Sequence, residues 1–194
     1  MNSHSSRSSH RKALLDAAEA MITEGKVSEL TLEAVASTAG VTRGGLIYHF
    51  KTREALLHAL VERMIEDVAE YAGEVPADPA QALEKFLTAR IHYAFAIDAR
   101  QKSVMANLLA ATATYPSLLE PVRRMYNRGA LDMAQVAGSA GLTLSVWTAL
   151  DGMVMLEMLN IRQFSDSERT QMRDTLLELV RSQFAGTLTA SPQR

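Results

Sequence analysis

Apolar residues recur along this chain at helical spacing, and no stretch alternates as a strand would. Leu14, Ala17, Ala18, Met21 and Ile22 make one face of a helix expected over residues 9 to 25. Leu32, Val35, Ala36 and Ala39 repeat at i, i+3, i+4, i+7 in a shorter helix, and Leu46 and Ile47 give the apolar side of a third. Leu56, Leu57, Leu60, Met64, Ile65 and Val68 carry a long fourth helix from 52 to 71. Gly73, Pro76 and Pro79 then break the pattern. Helices are expected again over 79 to 98, 102 to 113, 117 to 138, 143 to 163 and 166 to 185. Pro121 falls in a first turn, where proline is tolerated. The pattern predicts an all-α fold of about nine helices, without internal repeats.

Residues 31 to 53, TLEAVASTAGVTRGGLIYHFKTR, hold the densest local signal. Thr31 can cap the second helix, with Glu33 suiting the positive end of its dipole. Gly40 stands where that helix must stop in a left-handed residue, and Val41 supplies the apolar contact that follows such a stop. Thr42 can cap the third helix, whose first turn is Arg43, Gly44 and Gly45. Two short helices joined by a tight turn form the pattern of a helix-turn-helix, whose second helix presents its N-terminal residues to base edges in DNA. Gly44 and Gly45 each cost ~1 kcal/mol of helix propensity against alanine. They either weaken a short helix or let backbone approach DNA closely.

Composition changes this picture little. The chain has 194 residues, a net charge of −2 and no cysteine, which leaves no disulfide framework and no thiol chemistry. No apolar run is long enough to span a bilayer, and MNSHSSRSSHRK at the start is a polar, basic arm rather than a secretion signal, so a cytoplasmic location is expected. Residues 1 to 55 hold seven Lys and Arg against six acids, and the remainder thirteen against sixteen. That weak polarity has the sign DNA binding needs and predicts modest non-specific affinity.

Side-chain chemistry assigns roles at a duplex. Arg43 can take guanine O6 and N7 together, and Thr42 can bond a phosphate or touch a thymine methyl. Thr31, Tyr48, His49 and Lys51 would bind phosphates. His49 could instead act as a structural cap between the third and fourth helices, and Lys51 and Arg53 could be ordinary solvated charges. Phe50 belongs to the core.

From Arg11 to Leu60 the chain resembles the TetR family of bacterial transcriptional regulators. The resemblance rests on KALLDAAEAMITEGKVSELTLEAVA followed by AGVTRGGLIYHFKTREALLHAL. The family usually carries Tyr where this chain has Ile47, with Tyr48 following. The resemblance implies DNA contacts at Thr42, Tyr48, His49 and Lys51. A disordered polar arm is expected over 1–8, and the resemblance implies a three-helix DNA-binding domain over 9–55 and a ligand-binding and dimerisation domain over 56–188. Such a protein would be a ligand-released repressor binding a palindromic double-stranded operator as a homodimer. A ligand-responsive activator and a helical adaptor that never touches DNA are the competing readings.

The helix over 143 to 163 is apolar on most sides and must be buried on more than one face. By the resemblance, this helix and the last one would pair with their twins across a two-fold axis. Ala149, Gly152, Leu156, Met172, Leu176 and Val180 are the expected interface. A pocket for a small-molecule inducer of unknown identity is expected among Phe95, Met105, Leu109, Tyr126, Trp147, Asp151 and Met155. Methionine suits varied apolar ligands there. Asp151, inside so apolar a helix, needs either an arginine across the dimer or a polar or cationic ligand. Nothing points to an enzyme, a cofactor or a metal site: the sequence has no HExxH, no serine elbow, no phosphate loop and no H-x-x-x-H pair.

Overall fold

The computed structural model describes residues 3–25 and 29–185. Residues 1–2 of the expected arm and 186–188 of the expected second domain lie outside them. Among the described residues the chain forms nine α-helices and a short 3-10 turn, and no strand. The helices are α1 (Ser3–Thr23), α2 (Leu32–Thr38), α3 (Arg43–His49), α4 (Arg53–Ala72), α5 (Pro79–Ala96), α6 (Ala99–Ala111), α7 (Glu120–Ala134), α8 (Ala140–Met158) and α9 (Asp166–Ala185). The 3-10 turn, Pro116–Leu119, precedes α7. Residues 3–8, expected as an irregular arm, are helical. No glycine or proline interrupts Ser3–Thr23, so the helix anchored by Leu14 and Ile22 continues toward the N-terminus.

The chain divides into two compact units, residues 1–65 with 99–122, and 66–98 with 123–194. This differs from a boundary at residue 55, and the reason is packing. Val104 and Leu108 of α6, with Leu118, are buried in the same apolar cluster as Leu14, Leu46 and Leu57. Arg63 of α4 ties that unit together from its edge. It donates 2.6 Å to Asp16 and also to Glu19, both on α1.

In the second unit, α5 packs on α8 and α9, and α8 on α9. Asp78 caps α5 by accepting from the Gln81 N–H at 2.9 Å, with Pro79 in the first turn. Ser165 and Glu168 form a capping box on α9: Glu168 accepts from the Ser165 N–H at 2.9 Å and Ser165 Oγ from the Glu168 N–H at 3.3 Å. The Ser165 N–H, and then the Ser165 hydroxyl, which also donates to the carboxylate at 3.1 Å, hold the Glu168 carboxyl below its ordinary pKa. Glu157, nearly fully buried on α8, accepts both oxygens' worth of hydrogen bonds from Arg169 of α9. Arg169 also donates to the Phe95 carbonyl at 2.7 Å. One arginine thus joins α8, α9 and the end of α5.

Candidate nucleic-acid interface and a charged aromatic cluster

Local chemistry builds the turn between α2 and α3. Thr31 Oγ1 accepts from the Ala34 N–H at 3.1 Å, and Thr42 Oγ1 from the Gly45 N–H at 3.1 Å. Between them Gly40 sits at φ +64°. The Val41 N–H reaches back to the Ala36 carbonyl at 2.9 Å and the Gly40 N–H to the Ser37 carbonyl at 3.2 Å. That bond pair is a Schellman motif, and Val41 packs against the core beneath it. Because each threonine oxygen is already an acceptor, its O–H remains available to donate outward to a phosphate.

Helix α3 is held by one buried residue, Leu46, with Phe50 at its C-cap also buried. Arg43, Gly44, Ile47 and Tyr48 face solvent, as do Thr42 and Lys51. Arg43 pairs with Glu33 at 3.1 Å, the two side chains 71% and 57% exposed. The two glycines differ. A methyl group on Gly45 would lie 2.9 Å from Val41 Cγ1, whereas one on Gly44 would meet open space. Gly45 is therefore required by the turn's own packing, and Gly44 is not. His49 is half-buried, its ring edge-on to Tyr48 at 5.1 Å. Burial, and then the nearness of His10 and Arg11, hold its pKa below the usual histidine value. The guanidinium of Arg11 lies 5.7 Å from the Phe50 ring, bracing α1 against the C-cap of α3.

The second unit gathers Tyr126, Trp147 and Asp151 of the expected pocket, and adds two residues that the sequence reading missed. Asp151 on α8 accepts from Arg90 of α5 at 3.0 Å and, through its other oxygen, from the Tyr126 hydroxyl. Its arginine partner thus lies in its own chain, an arrangement outside the two alternatives expected for it. Phe86 packs edge-on against Trp147 with centroids 6.2 Å apart. The Tyr126 phenol is pushed up to about 12, first by burial and then by its bond to Asp151. A methyl group at Gly129 would come within 2.2 Å of the Trp147 ring, so the indole lies directly on the backbone of α7.

The remaining expected residues are dispersed. Met105 and Leu109, on α6, fall in the first unit, and Met155 is exposed on α8. Phe95 is half-buried, under the guanidinium of Arg169. Of the expected interface, Ala149 is exposed and Gly152, Leu156, Met172 and Leu176 are half-buried. Val180 is fully buried within its own chain and offers no surface to a partner; its neighbour Leu179 is the exposed one. Leu144, Met155 and Leu159 leave an apolar face of α8 open to solvent.

Comparison with known proteins covers both units. The description "Bacterial regulatory proteins, tetR family" matches residues 14–60, and "Tetracyclin repressor-like, C-terminal domain" matches 84–181. Among curated relatives, the HTH-type transcriptional regulator AcrR of Shigella flexneri is 32% identical over 81 residues, 40% of this chain and 38% of that protein. The HTH-type transcriptional repressor BepR of Brucella suis is 30% identical over 116 residues, 58% of this chain and 54% of that protein. The chain thus spans about half the length of these relatives or less. Among solved structures, a member of the TetR family from Streptomyces coelicolor A3 superposes with a TM-score of 0.64 at 23% identity, covering 88% of this chain and 97% of the other. The multidrug binding protein EbrR complexed with ethidium gives a TM-score of 0.62 at 23% identity, covering 88% and 98%. At such identities the likeness speaks to the fold. No helix among the described residues is long and apolar enough to cross a membrane.

Proposed function

The chain belongs to the TetR family of bacterial regulatory proteins, and on that premise we propose that it is a transcriptional repressor, released from a palindromic operator when a small molecule enters its second unit. The observation that carries the DNA side is the presentation of α3: Leu46 anchors it while Arg43, Gly44 and Tyr48 all face outward. Arg43 reads a guanine, Gly44 lets the backbone close on the duplex, and Thr31, Thr42, Tyr48, His49 and Lys51 hold phosphates. A barely basic chain needs two such readers to bind tightly. We therefore assign it a homodimer built on the exposed apolar face of α8 with α9, its α3 helices ~34–36 Å apart. Operator binding would place its work in the cytoplasm.

The ligand side is supported by the Trp147 cluster and by the likeness to a transcriptional repressor and to a multidrug binding protein. A ligand can act only through different affinities for two conformations. Helix α4 contributes residues to both units, which makes it the element through which ligand state would bias the spacing of the α3 pair.

A gel-shift assay on the chain's own promoter region tests this reading. Salt-sensitive binding is expected, with Arg43→Ala relaxing preference at one base pair at a cost of ~1–3 kcal/mol. Unchanged affinity and preference in that variant would remove Arg43 from its role. Absence of any salt-sensitive binding would sink DNA regulation and favour the adaptor. A reporter that rises when the protein is supplied would overturn repression and leave DNA binding standing.

A further inference from the structure

We infer that the cluster around Trp147 is a receptor for a planar organic cation bearing a hydrogen-bond acceptor, and that Arg90 is the cation resident there when no ligand is bound. This rests on the second unit being ligand-responsive. The guanidinium of Arg90 lies 5.6 Å from the Trp147 centroid and 6.0 Å from the Tyr126 centroid. Those two rings meet at 89° with centroids 5.4 Å apart, and Phe86 stands against Trp147 at 71°. Rings set edge-to-face with a carboxylate at one side make a box for a flat, weakly hydrated cation. Asp151 supplies the carboxylate, and its bond with the Tyr126 hydroxyl fixes which way it faces. An anion entering here would meet Asp151 and find Arg90 already paired. A cation can replace Arg90 on the same partners.

Two features favour replacement. Trp147 is 6% exposed, yet its indole N–H has no hydrogen-bond partner among the described residues. A guanidinium carries only donors and can never accept from it, whereas a ligand oxygen or nitrogen can. The incoming molecule therefore recovers a buried hydrogen bond that the resident leaves unmade. Access and mobility also fit. Asp151 is 37% exposed, so its carboxylate can be reached from solvent, and Arg90 rides on a flexible stem. The indole, by contrast, packs directly on the backbone at Gly129.

The test uses three probes of one size and one shared ether acceptor: 4-methoxybenzamidinium, 4-methoxybenzamide and 4-methoxybenzoate. Binding to the full chain is followed by calorimetry, with emission from the sole tryptophan, Trp147, reporting the site. The amidinium should bind the natural chain best. Arg90→Met, by removing the resident competitor, should tighten it at least about tenfold. Adding Asp151→Asn to Arg90→Met, which keeps the cluster neutral, should reverse that gain, while the amide changes little in either variant. Tightest binding of the benzoate, lost in Arg90→Met, would overturn the inference and make Arg90 an anion receptor. Equal binding of amidinium and amide in all three proteins would also overturn it, leaving ligand control intact if the amide weakens operator binding in the gel shift. If no probe moves Trp147 in the natural chain or in Arg90→Met, the cation receptor is overturned. Ligand control itself falls only if a metabolite panel also leaves operator affinity unchanged.

Discussion

Arg43 and Arg90 stand at nearly the same distance from a carboxylate, 3.1 Å from Glu33 and 3.0 Å from Asp151. Arg43 is 71% exposed and Arg90 11%. In water the first pair is worth little and exchanges freely, which suits a side chain that must leave its partner to meet a base. The second is shielded by rings and a phenol, so breaking it from one side strands a charge. Equal distances therefore say little about strength; the medium decides it.

Removing each carboxylate breaks the comparison most sharply. Asp151→Ala should lower stability by about 3 kcal/mol and Glu33→Ala by about 0.5 kcal/mol or less, read from denaturant midpoints. Equal losses would mean that burial does not separate the two pairs. Next in size, Gly129→Ala forces the indole off α7. It should cost about 1–3 kcal/mol by overpacking and shift the Trp147 emission. An unshifted spectrum would show the ring free to move, and with it the box.

The glycines of α3 sharpen the other half. Gly45→Ala must displace Val41 and should lose about 1 kcal/mol of stability, while Gly44→Ala, with open space around it, should gain up to ~1 kcal/mol from helix propensity. The same Gly44→Ala should nonetheless weaken operator binding about tenfold if backbone closes on DNA there. Undiminished binding would return Gly44 to a mere weak point in the helix.

The last test is a titration. The folded pKa of Tyr126 is raised from 10.0 to about 12, so its protonated form is favoured in the folded chain. Its contribution to stability is whole below pH 10 and is lost as the pH climbs toward 12. Phenolate absorbance should show one tyrosine ionising last, and Asp151→Asn should bring that step down. A late step unmoved by Asp151→Asn would leave burial as its sole cause.

Much of the DNA-facing half was legible because its structure is made by neighbours in sequence. Thr31, Gly40, Val41 and Thr42 each act within a few residues, through caps and a left-handed stop. The two glycines of α3 could not be told apart that way, since what crowds Gly45 is the path taken by Val41. In the second unit Tyr126, Trp147 and Asp151 were legible as cluster members, but Arg90 and Phe86 were not expected. A signal did exist. Arg90 falls on the stripe 83, 87, 90, 94 with the buried Leu83, Leu87 and Ala94, which places a charge on an inward face. Val180 erred in the other direction: on a helix with several apolar positions, only packing against the chain's own core shows which of Leu179 and Val180 remains outside.

By itself, then, the sequence determined that these segments are helical and set the geometry of the turn before α3, because hydrogen bonds of three to five residues' reach settle those; several helix ends, such as the start of α1 at Ser3 and the end of α8 at Met158, fell elsewhere than expected. Tertiary structure alone decided that α6 joins the first unit, that Asp151 finds its arginine 61 residues away on α5, and that Trp147 is buried with its N–H unpaired among the described residues. Those facts depend on which faces meet across the fold, and a helical pattern specifies that a face is apolar without specifying what it meets.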